Sequence, residues 1–285
     1  MTMQAQERRD RIQGAISEIP PFPDVATRVL AMARDEDTGV ADLARAVSRD
    51  PGITAAVLRA ANSASMGGSR EISSLPDAIL RLGVKYVRDV VVVTCLPSGS
   101  KQKAHPRMRD LWTHSVSAAL AMRALSMCLR DPDPEIAFLA GLFQDIGRQP
   151  LLTAFPDEYG PLFDEPLGRA EWTAQEKTLF ETDHTEIGEQ ILAGWEFDPA
   201  LQEVARRHHD DPATMDGLVL RAAAIDDLLG SPLWEMELDE VPPPDLDAPG
   251  PAFERLGLAG EVIATFVWRI RTAVDREIRF FDNAS

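Results

Sequence analysis

The chain has 285 residues, 45% hydrophobic and 26% charged, a composition typical of a globular protein with room for a sizeable core. Its 46 acidic residues against 29 lysines and arginines give a formal net charge of −17, which argues against general binding to nucleic acid or to an anionic membrane. The polar N-terminus without a signal peptide, the lack of a membrane-length apolar run and two cysteines without CxxC spacing predict a soluble cytoplasmic protein with buried free thiols.

Helix signals begin early in the chain. Asp24 is placed to cap a helix through Val29 and Met32. Asp50-Pro51 combines a capping residue with proline at the first helical position, and the helix that it opens should end near Asn62.

The next segment is predicted to be helical on both sides of a glycine. Ser74 or Asp77 begins a short helix that Gly83 ends. The following valine-rich segment has strand propensity but no partner strand elsewhere, so a buried helix is favoured. The polar segment 97–106 predicts a boundary between two subdomains.

The second half is also predicted to be helical, which makes the fold class all-α. The acidic, proline-rich segment 235–251 predicts a linker or surface loop. In the last helix, one face is apolar and should pack on the core or on a second copy of the chain. That face consists of Ile263, Phe266, Val267, Ile270 and Val274. The predicted helices are 107–129, 134–146, 171–181, 185–195, 199–208, 215–229 and 259–281.

Histidines and awkwardly placed acids are the residues with chemical potential. Asp145 interrupts the apolar sequence "FLAGLFQDIGRQPLL", and Asp226 interrupts "AAAIDDLLG". A carboxylate near a core must be paired, hydrogen-bonded or bound to a metal. Imidazole and carboxylate together bind Fe, Mn, Zn or Ni, although each residue taken alone is also explained by a private hydrogen bond. The histidines in question are His114, His184, His208 and His209.

Three blocks of the first half resemble the HDOD domain, a branch of the HD superfamily of metal-dependent phosphohydrolases. They are "IPPFPDVATRVL", "DLARAVSRDPGITAAVLRAANSA" and "ISSLPDAILRLGVKYVRDVVV". The resemblance covers about residues 15–230 and implies a helical N-terminal subdomain packed on an HD-like helical core. The expected organisation is an N-terminal tail 1–14, the N-terminal subdomain 15–104, the HD-like core 105–230, and a linker with a C-terminal helix 231–285.

The second half resembles the HD core residue by residue, with one departure at the His-Asp doublet. There Gln144 precedes Asp145, so an amide stands in place of an imidazole. Two-metal members of the superfamily hold each ion with its own set of ligands. For this chain the resemblance implies a first set of His114, Gln144, Asp145 and Asp226. It implies a second set of Asp145, His184, His208 and His209. Because an amide oxygen is a weak neutral ligand, the first set is impaired and at most one divalent metal is expected.

Three functions remain open. The first is a non-catalytic signalling module that acts through a protein partner, consistent with HDOD proteins that lack parts of the catalytic set. The second is a metal-dependent phosphodiesterase or phosphohydrolase on a nucleotide or cyclic dinucleotide, against which Gln144 argues. The third is a sensor whose pocket binds a metal or a small anion. Neither nucleic acid nor membrane is expected as a partner, whereas a homo-oligomer is compatible with the sequence.

Three arginines near the histidines form a candidate anion contact. Arg148 stands where a lysine often follows the doublet in the family, and Arg206-Arg207 precedes the histidine pair. Solvated arginines on helix surfaces are the more common explanation for such residues.

Overall fold

The computed structural model describes residues 3–35, 37–63, 71–96, 105–165, 167–230 and 250–258, and parts of 267–281. Every regular element in these residues is a helix, which confirms the predicted all-α class. None of the helices in this part of the chain combines the length and apolarity needed to cross a membrane.

The chain divides into two compact units. The smaller unit comprises residues 20–100 and 276–285, and the larger comprises residues 1–19 and 101–275. The helices of the smaller unit are α2 (Asp24–Met32), α3 (Val40–Val47), α4 (Pro51–Ala61) and α5 (Leu75–Thr94).

Local signals explain where the helices of the smaller unit begin. Asp50 accepts a hydrogen bond from the Ile53 N–H at 2.9 Å, which caps α4 as predicted. Ser74 caps α5 in the same way, and Gly83, at φ 79° and ψ 157°, breaks the helix inside its span. The predicted cap at Asp24 is wrong, because Asp24 is the first residue of α2 and follows Pro23 without a side-chain cap bond.

The valine-rich segment is a buried helix. Val90, Val91 and Val92 are completely buried in the second part of α5, as predicted. Apolar burial outweighs the strand propensity of valine here, since no strand is present among the described residues to pair with it.

The larger unit contains the remaining helices. Most of the segment 1–14, predicted from sequence as an N-terminal tail, lies in the helix Met3–Ser17, in which Ile12 and Ala15 are buried. Its helices are α1 (Met3–Ser17), α6 (Arg107–Cys128), α7 (Pro134–Phe143), α8 (Arg148–Ala154), α9 (Pro156–Tyr159), α10 (Arg169–Phe180), α11 (His184–Gly194), α12 (Pro199–Arg207), α13 (Gly217–Leu229) and α14 (Pro251–Arg255).

Helices α6 and α7 pack closely, and the segment that follows α7, with Gln144 and Asp145, is buried. A Cβ atom at Gly141 would lie only 2.5 Å from the Ala118 carbonyl oxygen, so only glycine permits this approach. The helix predicted to continue to residue 146 ends at Phe143, and a turn connects it to α8.

Outside this core, two expectations need comment. Both thiols are free as predicted, but neither is fully buried, and Cys128 is exposed because it lies at the end of α6. On the C-terminal apolar face, Val267, Ile270 and Val274 are buried. Its other two members, Ile263 and Phe266, lie outside the described residues.

Candidate metal centre

Five elements of the larger unit bring the predicted site residues together. His114 comes from α6, and Gln144 and Asp145 come from the turn after α7. His184 is the first residue of α11, His208 and His209 directly follow α12, and Asp226 lies on α13. The first and last of these residues, His114 and Asp226, lie 112 positions apart, so only the folded chain makes them neighbours.

Asp145 is the centre of the cluster, and its two oxygens face different partners. The Nε2 atoms of His184 and His208 lie 3.5 and 3.7 Å from Asp145 Oδ1. The His114 Nε2 lies 3.2 Å from Asp145 Oδ2. The carboxylate therefore lies between two groups of donor atoms, as a bridging ligand would.

The two groups of donor atoms coincide with the two sets expected from the resemblance, apart from Gln144. In each group, one ligand atom per residue lies within 4.8 Å of all the others. The first group is Asp145, His184, His208 and His209, and all four residues are buried. The second group is His114, Asp145 and Asp226.

Hydrogen bonds set the orientation of two imidazoles. His184 Nδ1 lies 2.6 Å from the buried carboxylate of Glu176, which accepts a hydrogen bond from it. His208 Nδ1 faces the backbone carbonyl oxygens of Val204 and Ala205 at 3.0 and 3.1 Å, so it carries a proton as well. With Nδ1 engaged in this way, the Nε2 atoms of both histidines face the site and lie 3.5 Å from each other.

Ring nitrogens that converge in this way are typical of a site that holds a cation. Both ring nitrogens of His209 are also buried without a hydrogen-bond partner among the described residues. Burial, together with the neighbouring His208 and His184, holds the pKa of His209 well below its usual value, so the ring is neutral. Neutral imidazole and carboxylate are the donors that a divalent transition metal requires, and the first group therefore fits such an ion.

The electrostatics of Asp145 also favour its role as a ligand. Burial alone would raise the pKa of its carboxyl, but Arg148 and His114 hold the pKa well below its usual range. Asp145 is therefore a carboxylate, with both oxygens able to donate electron pairs.

Gln144 completes neither group in the way a histidine would. Its Nε2 donates to Asp145 Oδ2 at 3.3 Å, while its Oε1 is buried without a partner among the described residues. The amide therefore presents an N–H rather than a lone pair to the carboxylate. This leaves the second group one imidazole short.

The chain positions the turn by close contact with α11. A Cβ atom at Gly147 would lie 2.0 Å from the His184 carbonyl oxygen and 2.6 Å from the Gly188 nitrogen. Asp183 caps α11 through the Glu186 N–H at 3.0 Å, which fixes His184 at the start of that helix. Glycine and cap together hold the carboxylate and the imidazole in one place.

The three candidate anion contacts are not grouped. Arg148 is buried against Asp145, with its Nε 2.5 Å from Oδ1. Arg206 forms ion pairs with Glu186 and Glu189 at 3.3 and 3.5 Å. Arg207 pairs with Glu203 and Asp210 at 2.6 and 3.1 Å. Of the three, Arg148 alone shares a contact with the candidate ligands.

A cleft of about 530 Å³ leads to the second group. His114 and Asp226 lie in its wall, where the His114 side chain is 32% exposed, in contrast to the buried first group. Arg148, Arg169 and Trp172 also line it. Its volume lies in the range of roughly 300–1,000 Å³ that is common for small-molecule sites.

Sequence reasoning missed Glu176 and Tyr159 beneath the site. Glu176 is completely buried, accepts the Tyr159 O–H at 2.6 Å, and accepts the backbone N–H of His184 at 2.9 Å. Burial alone would raise the pKa of its carboxyl, yet the nearby His184 lowers it. The signal available in the sequence was a glutamate in a predicted helix, eight residues before the candidate ligand His184. Its burial is visible only in the structure.

Comparisons with known proteins agree with this architecture. A model of the HDOD domain family matches residues 19–211. No curated protein matches the chain.

Three solved structures share the fold. The chain is 20% identical to a candidate phosphohydrolase from Shewanella amazonensis, with a TM-score of 0.67 and coverage of 96% of this chain and 98% of the other. It is 22% identical to an HDOD domain protein of unknown function from Geobacter sulfurreducens, with a TM-score of 0.67 and coverage of 95% and 98%. A candidate signal transduction protein from Marinobacter aquaeolei is 20% identical, with a TM-score of 0.71 and coverage of 98% and 66%.

Proposed function

Because the chain belongs to the HDOD domain family, we propose that it is a non-catalytic signalling module that acts through protein contacts and holds one divalent metal ion. The observation that carries the proposal is the asymmetry of the cluster around Asp145. The first group offers four buried donors, whereas the second offers three and has Gln144 beside it.

Asp145, His184, His208 and His209 would hold the ion. When bound, it supplies positive charge that neutralises the carboxylate and joins α11, α12 and the turn after α7. The chain's own residues set the rest: Glu176 and two backbone carbonyls fix the ring orientations, and burial excludes water. Hydrolysis of a phosphoester by a pair of ions needs a second complete set, and Gln144 removes it.

A regulatory role follows from a site that holds one ion and lacks a complete second set of ligands. A buried metal that links three segments of one unit stabilises their arrangement, so occupancy can alter the surface that a protein partner contacts. The name of the Marinobacter aquaeolei neighbour and the family membership support a signalling role.

The second candidate is a phosphohydrolase acting on a nucleotide or cyclic dinucleotide. The cleft favours it, because it gives a small molecule access to His114, Asp226 and the guanidinium of Arg148. The name of the Shewanella amazonensis neighbour points in the same direction.

One experiment separates the two. Metal content is measured on protein purified without chelator, beside an assay against a panel of phosphoesters and cyclic dinucleotides. The proposal expects about one metal ion per chain, no turnover, and loss of the metal in Asp145→Asn. The matched control is Asp89→Asn, which alters a fully buried aspartate paired with Arg88 at 2.6 Å in the other unit.

Three outcomes decide it. Turnover that Asp145→Asn abolishes would establish the phosphohydrolase instead. Equal metal content in wild type and Asp145→Asn would contradict the metal site. In a separate cross-linking experiment with and without chelator, capture of the same protein partners in both samples would contradict regulation by occupancy.

A further inference from the structure

Arg148 contacts the same carboxylate oxygen that faces the histidines of the first group. Its Nε lies 2.5 Å from Asp145 Oδ1, whereas the Nε2 atoms of His184 and His208 lie 3.5 and 3.7 Å from that oxygen. Arg148 is the first residue of α8 and is only 7% exposed. The chain itself therefore provides a positive charge at the position where a metal would neutralise the carboxylate.

The guanidinium is held in this place from its other side. Its central carbon lies 4.4 Å from the centre of the Trp172 ring on α10, a distance at which a cation is attracted to the face of an indole. Arg148 carries a positive charge, because a guanidinium group is not deprotonated in proteins. A charge-assisted hydrogen bond in a buried setting is among the stronger polar contacts available to a protein.

We propose that Arg148 is an internal counter-ion that stabilises Asp145 in the metal-free chain and thereby weakens the hold of the first group on a divalent cation. Two consequences follow from the contact geometry. Like charges repel, so a fixed guanidinium beside Oδ1 opposes a second cation at that oxygen. The hydrogen bond also draws electron density from the oxygen that must donate it. The inference rests on the proposed metal site.

A purely positional role for Arg148 predicts the opposite sign. If the pair served only to aim Asp145 at the histidines, removing the guanidinium would loosen the carboxylate and weaken metal binding. If Arg148 is a counter-ion, its removal strengthens metal binding and at the same time destabilises the metal-free chain, in which the buried carboxylate loses its arginine partner.

The test compares Mn²⁺ affinity and melting temperature in wild type, Arg148→Gln and Arg148→Lys. Free Mn²⁺ is counted by electron paramagnetic resonance, and each melt is recorded with chelator and with saturating Mn²⁺. Arg148→Gln is expected to bind Mn²⁺ roughly tenfold or more tightly than wild type, since the opposing charge is gone. Its melting temperature should fall with chelator and recover with Mn²⁺. Arg148→Lys retains the charge and should bind close to wild type.

Arg123→Gln is the matched control. Arg123 is also buried, stacks on Phe138 at 3.8 Å and pairs with Glu135 at 2.9 Å, and none of these residues belongs to the candidate site. Its replacement should lower the melting temperature equally with chelator and with Mn²⁺ and leave the affinity unchanged.

The outcomes separate this inference from the proposed metal site. Unchanged or weaker binding in Arg148→Gln, with binding in wild type, overturns the counter-ion and leaves the metal site intact. Binding in Arg148→Gln alone supports the counter-ion and contradicts a metal in wild type. No binding in any variant overturns both.

Discussion

Replacing Glu176 by glutamine should weaken metal binding at His184 with little change in shape. Glu176 Oε2 accepts two hydrogen bonds from His184, from its Nδ1 at 2.6 Å and from its backbone nitrogen at 2.9 Å. A glutamine oxygen in that position can accept both. The amide nitrogen would then donate to the Tyr159 oxygen, and the buried Tyr159 O–H would lose its acceptor. The substitution therefore removes a charge and keeps both contacts to His184.

The expected size follows from these contacts. A charge-assisted hydrogen bond is roughly twice as strong as a neutral one, and loss of the carboxylate makes the His184 ring a poorer electron donor. Carboxylates that orient a ligating histidine contribute about 10- to 100-fold to metal affinity, or roughly 1.4–2.7 kcal/mol. Glu176→Ala should be worse for folding, because the Tyr159 hydroxyl and two His184 N–H groups lose their acceptor at about 1–3 kcal/mol each.

Isothermal titration with Mn²⁺ measures the affinity, and thermal unfolding with chelator measures stability of the metal-free chain. Glu176→Gln should bind about 10-fold or more weakly, and its melting temperature should fall by less than that of Glu176→Ala, because only the Tyr159 O–H loses its acceptor. Glu171→Gln on the same helix is the control, since Glu171 is exposed and accepts the Gly168 N–H at 2.8 Å, away from the candidate ligands. Wild-type affinity in Glu176→Gln would refute the role of the carboxylate in orienting His184.

Three further predictions concern other parts of the chain. Gln144→His should raise metal content from one ion to two per chain, because the imidazole restores the donor missing from the second group; unchanged content would contradict this. Gly147→Ala should lower both the melting temperature and metal content, because its Cβ would lie 2.0 Å from a carbonyl oxygen of α11, whereas Gly14→Ala, with nothing within 4 Å, should do neither. A thiol reagent at pH 8 should modify Cys128 and spare Cys95 in a mass spectrum, because burial raises the pKa of Cys95 to about 12 and its thiolate forms only as the pH approaches that value; equal modification of both would refute this.

Sequence rules predicted the helices wherever a local signal was decisive. Asp50 and Ser74 are caps that can be recognised from the three residues that follow them, and both accept the expected backbone N–H. The helical valine segment in α5 was also predictable, since a strand without a partner leaves its backbone unpaired. The helix Met3–Ser17 was not predicted from the sequence, because it buries only a narrow apolar face in a polar segment.

The candidate site was predictable as a set of residues but not as a geometry. Histidines and acids in apolar segments identified its members. Which oxygen of Asp145 faces which ring depends on the short turn between α7 and α8, where prediction extended the helix to residue 146. Glu176 and Arg148 were missed or misplaced for the same reason: a buried charge looks like a surface charge in sequence, and only tertiary packing distinguishes the two.

Gln144 and Arg148 act on opposite oxygens of the same carboxylate. The amide nitrogen of Gln144 lies 3.3 Å from Asp145 Oδ2, and the guanidinium of Arg148 lies 2.5 Å from Oδ1. Each side chain gives Asp145 an N–H donor, so each partly satisfies a carboxylate that would otherwise depend on metal cations. Asp145 therefore keeps hydrogen-bond donors when no metal is bound, which lowers the cost of losing the ion. This supports the proposal of a metal whose occupancy changes rather than hydrolysis by two permanently held ions.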